Sequence, residues 1–318
     1  MSLDRRPITP DDVAAWARLI TAIQDADGSD YYVSEQDLGE EFDHPDLDFA
    51  RGSIAIWDAG AMVGYNVIAC RSAADPVHNM RQEGGVHPAY RGRGLGSELL
   101  DWAEQAAVPL HEERFGGHPL SLASWVFSQN AGAMARHEER GYRAVRWFRT
   151  MTRDLSAPIP EAVIPAGVQV SGYTPDQAAA ALLVRNESFR DHWGSTEVTE
   201  QNWAHSLAQD AFRPRFSFLA YEGTDPLGLL TSYESDAYNA KKGRRDLYIG
   251  IVGTRAAGRK RGIATALLVT AMSAAHAQGY DSTSLTVDAD SLTGAVGLYE
   301  HVGFTADTTW ITYQKQLG

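Results

Sequence analysis

Two short basic turns contain the residues whose types and spacing most clearly point to chemistry. The first reads Arg91-Gly92-Arg93-Gly94-Leu95-Gly96, and the second, 168 positions later, reads Arg259-Lys260-Arg261-Gly262-Ile263-Ala264. Each turn follows a β-rich run and leads into an apolar stretch typical of a helix. The free N–H groups and the positive dipole end of a helix N-terminus bind phosphate groups. The pattern therefore predicts a site for a phosphorylated ligand in each half of the chain.

Further landmarks repeat in the same order, which indicates an internal duplication. A Thr-Pro-Asp helix start occurs at Thr9 and again at Thr174, and a Gly-aromatic pair occurs at Gly141 and again at Gly303. These offsets are 165 and 162 positions, close to the separation of the two turns. Nearly constant spacing predicts two copies of one domain, with a period too long for a solenoid.

Other phosphate-binding motifs do not fit the first turn. A dinucleotide-binding G-x-G-x-x-G pattern that starts at Gly92 requires glycine where Ser97 stands, and one that starts at Gly94 requires it at Leu99. No G-x-x-x-x-G-K-[ST] string occurs, so the sequence does not predict a Walker-type NTPase. The remaining alternative is a flexible, solvated loop, which two copies in register disfavour.

The form Arg-x-x-Gly-x-Gly/Ala, present in both turns, resembles the signature of the GNAT superfamily of acyl-CoA-dependent N-acyltransferases. The resemblance covers nearly the whole chain as two units in tandem and is greatest to mycothiol-synthase-type actinobacterial acetyltransferases. It implies an α/β fold of two GNAT domains, each a mixed, mostly antiparallel sheet flanked by helices. It also implies an acetyltransferase that uses acetyl-CoA as acyl donor, with up to one molecule in each domain.

The resemblance further implies that the amides of each turn hold the pyrophosphate of acetyl-CoA. Backbone N–H groups near Val252 are expected to hydrogen-bond the thioester carbonyl. The expected cofactor-binding residues of the first half are Val86, Arg91, Gly92, Arg93, Gly94, Leu95, Gly96 and Ser97. Those of the second half are Val252, Gly253, Thr254, Arg259, Lys260, Arg261, Gly262, Ile263, Ala264 and Thr265.

A tyrosine distinguishes the two halves. Acyl transfer to an amine requires a base for the amine and benefits from a proton donor for the departing thiolate. Family members often place a tyrosine four residues before the Gly-aromatic pair, where the second half has Tyr299 and the first has His137. We therefore expect catalysis in the second half, with Tyr299 as donor and His137 as a solvated helix residue. The alternatives are that Tyr299 only packs on the sheet, and that the first half either binds acyl-CoA without catalysis or is itself the working site.

The general base is expected on the strand before the second turn. Asp246, Tyr248 and Gly250 share one face by two-residue alternation, and an acid on this strand serves as base in similar tandem enzymes. Asp246 is the first candidate for the general base, and the alternative is that Asp246 is a surface residue of a turn. Tyr248 is expected beside it at the catalytic site. The alignment matches Val252 to the Val86 position, with a spacing to the turn arginine that is two residues longer in the second half.

Acceptor contacts are expected from Asp191, His192 and Trp193, since aromatic and acidic residues before a glycine suit a cationic amine. Packing at a helix end is the alternative. The comparable segment of the first half, Asp25 to Asp30, is interpreted as a solvated acidic loop. The predicted acceptor is a small-molecule amine of unspecified identity, and aminoacyl-tRNA-dependent or protein acyl transfer are the alternatives. The oligomeric state is not predicted.

Composition sets the remaining expectations. The 318 residues are 44% hydrophobic, as in a folded protein, and carry a net charge of −13, which disfavours nucleic acid and membrane partners. A single cysteine excludes an internal disulfide, and the histidines show no metal-ligand spacing, so we predict no metal. We expect a cytoplasmic protein. Three prolines between positions 158 and 165 predict a linker at 158–166 between domains 1–157 and 167–318.

Overall fold

The computed structural model describes residues 3–291 and 294–317 and divides into two compact units. The first unit comprises Met1–Trp147 together with Thr309–Gly318, and the second comprises Phe148–Thr308. In the described part of the chain, no helix is both long and apolar enough to cross a membrane.

The helices and strands alternate along the chain in a pattern that occurs twice. In order they are β1 (Asp4–Arg6), α1 (Val13–Asp27), α2 (Glu35–Glu40), α3 (Phe49–Gly52), β2 (Ser53–Asp58), β3 (Ala61–Ala69), β4 (His78–Val86), α4 (Leu95–Phe115), β5 (Leu120–Phe127), α5 (Ala131–Glu139), β6 (Arg143–Asp154), β7 (Val168–Gly172), α6 (Ala178–Ser188), α7 (Glu200–Ala208), β8 (Phe218–Glu222), β9 (Asp225–Tyr233), α8 (Asp236–Lys242), β10 (Asp246–Thr254), α9 (Ile263–His276), β11 (Ser282–Asp288), α10 (Ala295–His301) and β12 (Thr305–Gln316). Strands β4 and β10, which precede the two basic turns, are therefore equivalent.

The sheet of the first unit has the strand order β1-β2-β3-β4-β5-β12. Neighbouring strands are antiparallel except for β4 and β5, which are parallel and are joined through α4. Strand β3 is buried along nearly its whole length because α1 and α4 both pack against it.

The sheet of the second unit has the order β6-β11-β10-β9-β8-β7. It repeats the arrangement of the first unit, with β10 and β11 as the parallel pair and α9 between them in sequence. Both units thus have a mixed, mostly antiparallel sheet flanked by helices.

The compact units differ from the domains predicted from the sequence. Residues Trp310–Gln316 of the last strand pair with β5 of the first unit, and residues 148–154 of β6 pair with β11 of the second. The proline-rich segment marks a change in local chain conformation, whereas hydrogen-bonded pairing between distant strands decides which unit a segment belongs to.

Helix α1 shows how the sequence pattern positions the first unit's elements. A 3₁₀ turn starts after Thr9, as the Thr-Pro-Asp pattern indicates, and continues into the helix. Its buried apolar residues follow helical spacing: Trp16, Leu19, Ile20 and Ile23. Gly28, at a φ of 68°, ends the helix in the left-handed conformation.

Candidate functional site

The parallel strands of the first unit separate towards the basic turn. Pairing between β4 and β5 runs from His78 to Gln82 on β4, whereas β4 continues to pair with β3 as far as Val86. In the described residues, the segment 83–86 therefore has no strand partner on its β5 side. A gap of this kind exposes backbone N–H and C=O groups to a ligand.

The second unit separates at the equivalent place. Strand β10 pairs with β11 from Asp246 to Ile249, and beyond that point the described pairing of β10 is with β9 only, up to Thr254. Gly250 is skipped in the β9 register, so a bulge marks the point of separation. A Cβ at Gly250 would lie 2.7 Å from the Tyr233 ring, which explains the need for glycine.

The two basic turns have nearly identical backbones. Each begins with a 3₁₀ turn and ends with a glycine N-cap in the left-handed conformation, at φ 84° for Gly94 and 87° for Gly262. Gly92 has a φ of 75°, and Lys260, at the matching position, is held at 61° despite its side chain. The same strained path is thus kept in both units, with glycine in one and lysine in the other.

The surface above each turn is open. A Cβ built on Gly92, Gly94 or Gly262 would meet nothing within 4 Å. The first intrahelical hydrogen bond of α4 runs from the Ser97 N–H to the Gly94 carbonyl at 3.0 Å. The amides of Leu95 and Gly96 come before this bond and so lie outside the intrahelical hydrogen bonds of α4. Leading amides of this kind, at the start of long helices, are a site for an anion.

The first arginine of each turn holds the backbone of the preceding strand in place. Nε of Arg91 donates to the Val86 carbonyl at 3.3 Å, and Nε of Arg259 donates to the Thr254 carbonyl at 3.3 Å. The Arg91 guanidinium also pairs with Asp27 at 2.6 Å. These side chains therefore position the turn, and the expectation that Asp27 belongs to a solvated loop is wrong.

Two further basic side chains of the turns are also held by the protein. Arg93 lies over the Tyr90 ring, 4.7 Å from its centroid, and Arg261 pairs with Glu222 at 2.6 Å. Binding of an anion at the turns therefore depends chiefly on the backbone amides, with these cations contributing a background of positive charge.

An additional cation that the sequence analysis missed lies at the first turn. The Arg136 guanidinium, from α5, is so close to Gly96 that a Cβ there would lie 2.9 Å from it. Burial, followed by repulsion from Arg140 and Arg91, lowers the pKa of Arg136. The equivalent position in the second unit, by the offset of the Gly-aromatic pairs, is Leu298.

The strand bounds correct the alignment used for the sequence. Strands β4 and β10 both end five residues before the turn arginine, so Thr254, and not Val252, is equivalent to Val86. Val252, Gly253 and Thr254 all lie where β10 has left β11. A Cβ on Gly253 would lie 3.1 Å from Ser188, which shows how closely the end of α6 approaches this part of the strand.

Two tyrosines of the predicted catalytic set come together at the separation in the second unit. Tyr299 is buried, and burial together with the nearby Tyr248 raises its pKa. Burial also raises the pKa of Tyr248, although a hydrogen bond to Thr286, one residue beyond the last paired position of β11, opposes the shift. Both phenols therefore keep their protons near neutral pH and can act as donors.

Asp246 lies at the closed end of the same strand. It is buried, and its carboxylate accepts hydrogen bonds from the hydroxyls of Ser282 and Ser284. Burial raises its pKa, while the two serines lower it. The alternative of a surface turn residue is therefore wrong, but Asp246 is four residues, or about 13 Å along the strand, from the bulge.

The predicted acceptor segment follows α6. Asp191 is exposed, and His192 is half-buried, with its ring 5.5 Å from that of Phe189 and its Nδ1 3.2 Å from the Trp193 carbonyl oxygen. A Cβ on Gly253 would lie 3.3 Å from Phe189, so this segment adjoins the open end of β10. Its contact with an acceptor remains a prediction.

His137 differs from the expectation of a solvated residue. It is buried between the rings of Tyr142 and Tyr313, with centroid distances of 5.3 and 5.5 Å. Its Nδ1 hydrogen-bonds the Ala133 carbonyl at 2.8 Å, and burial lowers its pKa. Tyr313 comes from β12, which is distant in sequence, so the local helix pattern does not reveal the surroundings that keep this imidazole neutral.

The first unit also holds an acidic side chain at its separation that the sequence analysis missed. Glu83 is the first residue of β4 beyond the paired segment and accepts a hydrogen bond from the Tyr65 hydroxyl at 3.0 Å. Burial raises its pKa. Glu83 is the one carboxylate in the β4 sequence, a signal that could have identified it.

Comparisons with known proteins show the family to which this chain is similar. The model of the Acetyltransferase (GNAT) family matches residues 16–142 and 180–304. A mycothiol acetyltransferase of Salinispora tropica is 29% identical over 307 residues, which is 95% of this chain and 92% of that protein. One from Streptomyces avermitilis is 30% identical and covers 80% of this chain and 77% of its own length.

Solved structures are similar over the full length. A GCN5-related N-acetyltransferase from Sphaerobacter thermophilus has a TM-score of 0.80 and 26% identity, with 99% of this chain and 96% of that chain covered. A tandem GNAT protein from the clavulanic acid biosynthesis pathway has a TM-score of 0.74 at 16% identity, with coverage of 100% and 99%. The second likeness shows that the tandem arrangement of the fold is shared.

Proposed function

Because the chain belongs to the GNAT acetyltransferase family, we propose that it acetylates a primary amine of a small molecule with acetyl-CoA, and that the second unit is the catalytic centre. The relatives named for mycothiol, a small molecule, support an acceptor of this size. The net charge of −13 disfavours tRNA as a partner.

The residues present in both turns fit the pyrophosphate of acetyl-CoA. Bare glycine backbone faces open space at Gly92, Gly94 and Gly262, and unpaired amides lead into α4 and α9. The gaps beyond Gln82 and Ile249 lie on the strands that run into these turns. When bound, acetyl-CoA supplies the acetyl group as an activated thioester.

Tyr299 carries the proposal for the second unit. Its buried phenol keeps its proton at neutral pH and lies near Tyr248 at the separation of β10 and β11. A phenol in this position can donate a proton or a hydrogen bond to a departing thiolate. The N–H groups of β10 near Val252 are the proposed donors to the carbonyl oxygen of the acetyl group.

Asp246 is the proposed base of the second unit and acts at a distance. Ser282 and Ser284 hold its carboxylate on the paired part of the strand, so a proton from the amine must reach it through water or the Tyr248 hydroxyl. Burial raises the pKa of Asp246, which makes its carboxylate a stronger base than an exposed aspartate.

Acetyl-CoA consumption across a library of small amines, measured as release of free thiol, tests the proposal. With an acceptor in hand, Tyr299→Phe is expected to lower kcat by about 10²–10⁴-fold, as for loss of a general acid. Tyr221→Phe removes a half-buried phenol on β8 and is the matched control, with kcat unchanged. An unchanged kcat in Tyr299→Phe removes this role, and no turnover with any amine rejects the acceptor class.

A further inference from the structure

We propose that the first unit binds a small aromatic carboxylate, whose carboxylate group pairs with Arg81 and whose ring lies against Trp125. This inference goes beyond the acetylation of an amine that is proposed for the second unit. It concerns the face of the first sheet that looks towards α1, and it rests on a cation without a counter-charge, on small neighbours beside that cation and on an exposed aromatic surface.

Arg81 lies on the part of β4 that is paired on both sides. Its Cα partners are Ala69 on β3 and Ala123 on β5, so both neighbours across the sheet are small. Two-residue alternation puts Arg81 on the same face as Gly85, whose Cβ would lie 2.6 Å from Ile23 of α1. The Arg81 side chain therefore stands between two alanines on the α1 side of the sheet.

Arg81 differs from Arg91 and Arg261 of the turns because the protein supplies no counter-charge to it. Within residues 3–291 and 294–317, no carboxylate forms an ion pair with Arg81. The side chain is exposed, yet loss of hydration to the surrounding protein lowers its pKa. Exposure combined with partial desolvation is expected for a cation in a recess, where an external anion is held more strongly than at an open surface.

The registers of the parallel strands relate this place to the second unit. Gln82 is the last residue of β4 that pairs with β5, and Ile249 is the last residue of β10 that pairs with β11. Counting back by one position relates Arg81 to Tyr248. The β9 partner of Tyr248 is Tyr233, so the second unit has two phenols where the first has a cation beside an alanine.

Asn79 is the counterpart of the proposed base Asp246 by the same count. Ser121 donates to the side-chain oxygen of Asn79, which also accepts from Gln314 at 2.9 Å. Ser282, on the equivalent strand, donates to Asp246 in the same way, which supports the equivalence. The first unit thus combines a cation with a neutral amide where the second combines a phenol with an acid. The charge that this place favours in a ligand is therefore reversed from positive to negative.

Glu83, two residues beyond Arg81, does not pair with it. The Glu83 carboxylate instead accepts hydrogen bonds from the Tyr65 hydroxyl at 3.0 Å and from the Tyr31 hydroxyl at 3.5 Å. Burial, followed by the charge of Glu83, raises the pKa of Glu41 to about 7. This carboxyl pair carries less negative charge below pH 7, so an anion on Arg81 is repelled least in mildly acidic solution.

Trp125 gives the recess an aromatic wall. It follows Ala123 by two residues on β5 and so lies on the same face, about 7 Å further along the strand. It is 46% exposed, and the Trp310 ring lies 6.5 Å from its own. An exposed indole near a guanidinium suits a flat ring that carries a carboxylate, because the ring stacks on tryptophan while both carboxylate oxygens accept from the arginine fork.

Calorimetric titration of the full chain with sodium benzoate at pH 6, in the absence of acetyl-CoA, tests the site. The wild type is expected to bind benzoate, and Arg81→Met to bind it at least about tenfold more weakly because the paired charge is lost. This variant should fold, since Arg81 is exposed. Arg18→Met, which removes an exposed arginine of α1, is the matched control with unchanged affinity. No binding by the wild type, or equal affinities in wild type and Arg81→Met, overturns the proposal.

Asn79→Asp reproduces the acid of the second unit, two residues from Arg81, without a change in side-chain size. The new carboxylate should pair with Arg81 and weaken benzoate binding by at least about tenfold. Gln129→Glu adds the same charge at an exposed position just after β5 and is the control, with affinity nearly unchanged. Equal losses in the two variants would show a general effect of net charge and would overturn the assignment of Arg81 as the anchor.

The ring has its own test in the choice of anion. Benzoate is expected to bind at least about tenfold more tightly than acetate or inorganic phosphate, and Trp125→Ala should remove this preference. Equal affinities for the three anions in the wild type, or an unchanged preference in Trp125→Ala, overturns the aromatic carboxylate as the class of ligand. Because the titrations contain no acetyl-CoA and leave Tyr299 in place, their failure leaves the function proposed for the second unit intact.

Discussion

The two units share the conformation of the basic turn but differ in the side chains around it. The backbone path through Gly92 and Gly94 is repeated through Lys260 and Gly262 to within 14° in φ. Around it, the first unit has Glu83 and lacks the late tyrosine, whereas the second has Tyr299 and carries Ile251 where the acid would be. The titratable side chains beside the separated strands therefore differ between the two units.

This difference shows which parts of the site depend on side chains and which depend on the backbone conformation alone. Anion binding by backbone amides depends on φ and ψ, so a lysine can replace a glycine if the chain tolerates a strained residue. Side chains beside the separated strands carry no such backbone constraint, so glutamate stands at position 83 where isoleucine stands at position 251. Two copies of one fold can therefore retain the same donor while their acceptors diverge.

The largest effect is expected when a negative charge is placed at one of the basic turns. Gly94→Glu should abolish cofactor binding in the first unit, because a carboxylate at the N-cap of α4 repels pyrophosphate and the φ of 84° disfavours the side chain. Calorimetry with CoA should then give one site in place of two. Gly262→Glu should instead remove the site of the second unit, together with activity that depends on Tyr299.

Gly94→Asn is the matched control, since asparagine tolerates the left-handed conformation and carries no charge. Two sites should remain in this variant. If Gly94→Glu abolishes all activity while Gly262→Glu keeps it, the first unit is the working centre and the assignment of catalysis to the second unit is rejected.

A pH-dependent stability should come next in size and belong to the first unit. The pKa of Glu41 is raised to about 7 in the folded protein, above the value of about 4.3 for an unfolded chain. Its neutral form favours folding below pH 4, and this stability is lost as pH rises through 7. The loss is about 4 kcal/mol by linkage.

Glu41→Gln should therefore flatten the stability profile between pH 5 and 8, as measured by chemical denaturation monitored separately for each unit's unfolding step. Glu161→Gln, at an exposed position, should leave the profile unchanged. Equal profiles for wild type and Glu41→Gln would show that the carboxyl pair is solvated, which weakens the contrast between the two units.

The features that could be predicted from the sequence are those with a local conformational cause. The turns could be predicted because left-handed positions favour glycine, so that local conformation leaves a fixed pattern of residue types. The two tandem folds followed from it and are confirmed by the family match. Tyr299 was singled out because the family resemblance places a tyrosine four residues before the Gly-aromatic pair, and its role stays a prediction.

Features that depend on pairing between distant segments were missed. The bulge at Gly250 and the common end of β4 and β10 decide that Thr254 matches Val86, and neither is visible in spacing alone. Glu83 and Glu41 are 42 positions apart in the sequence, and only the folded sheet and its loops bring them together. Burial of His137 likewise depends on β12, from the far end of the chain.

Arg136 offers a more moderate way to sharpen the comparison. Its guanidinium adjoins the start of α4 and would form a charge-assisted hydrogen bond with a bound phosphate, worth about 2 kcal/mol. Arg136→Leu, which makes the first unit resemble the second at this position, should weaken CoA binding there by about thirtyfold. Calorimetry on the Gly262→Glu background isolates that site, with Arg140→Leu as the control for general loss of charge.

The smallest effect expected concerns the strained lysine. Lys260 has a φ of 61°, a conformation that costs about 1 kcal/mol for a residue with a side chain. Lys260→Gly should therefore raise the Tm of the second unit by about 2–4 °C, and Gly92→Lys should lower the stability of the first by a similar amount.

Lys260→Asn separates conformation from charge, because asparagine accepts the left-handed region but cannot attract an anion. If Lys260→Asn lowers CoA affinity while Lys260→Arg keeps it, the charge of Lys260 contributes to binding; equal affinities would show that its backbone alone is used.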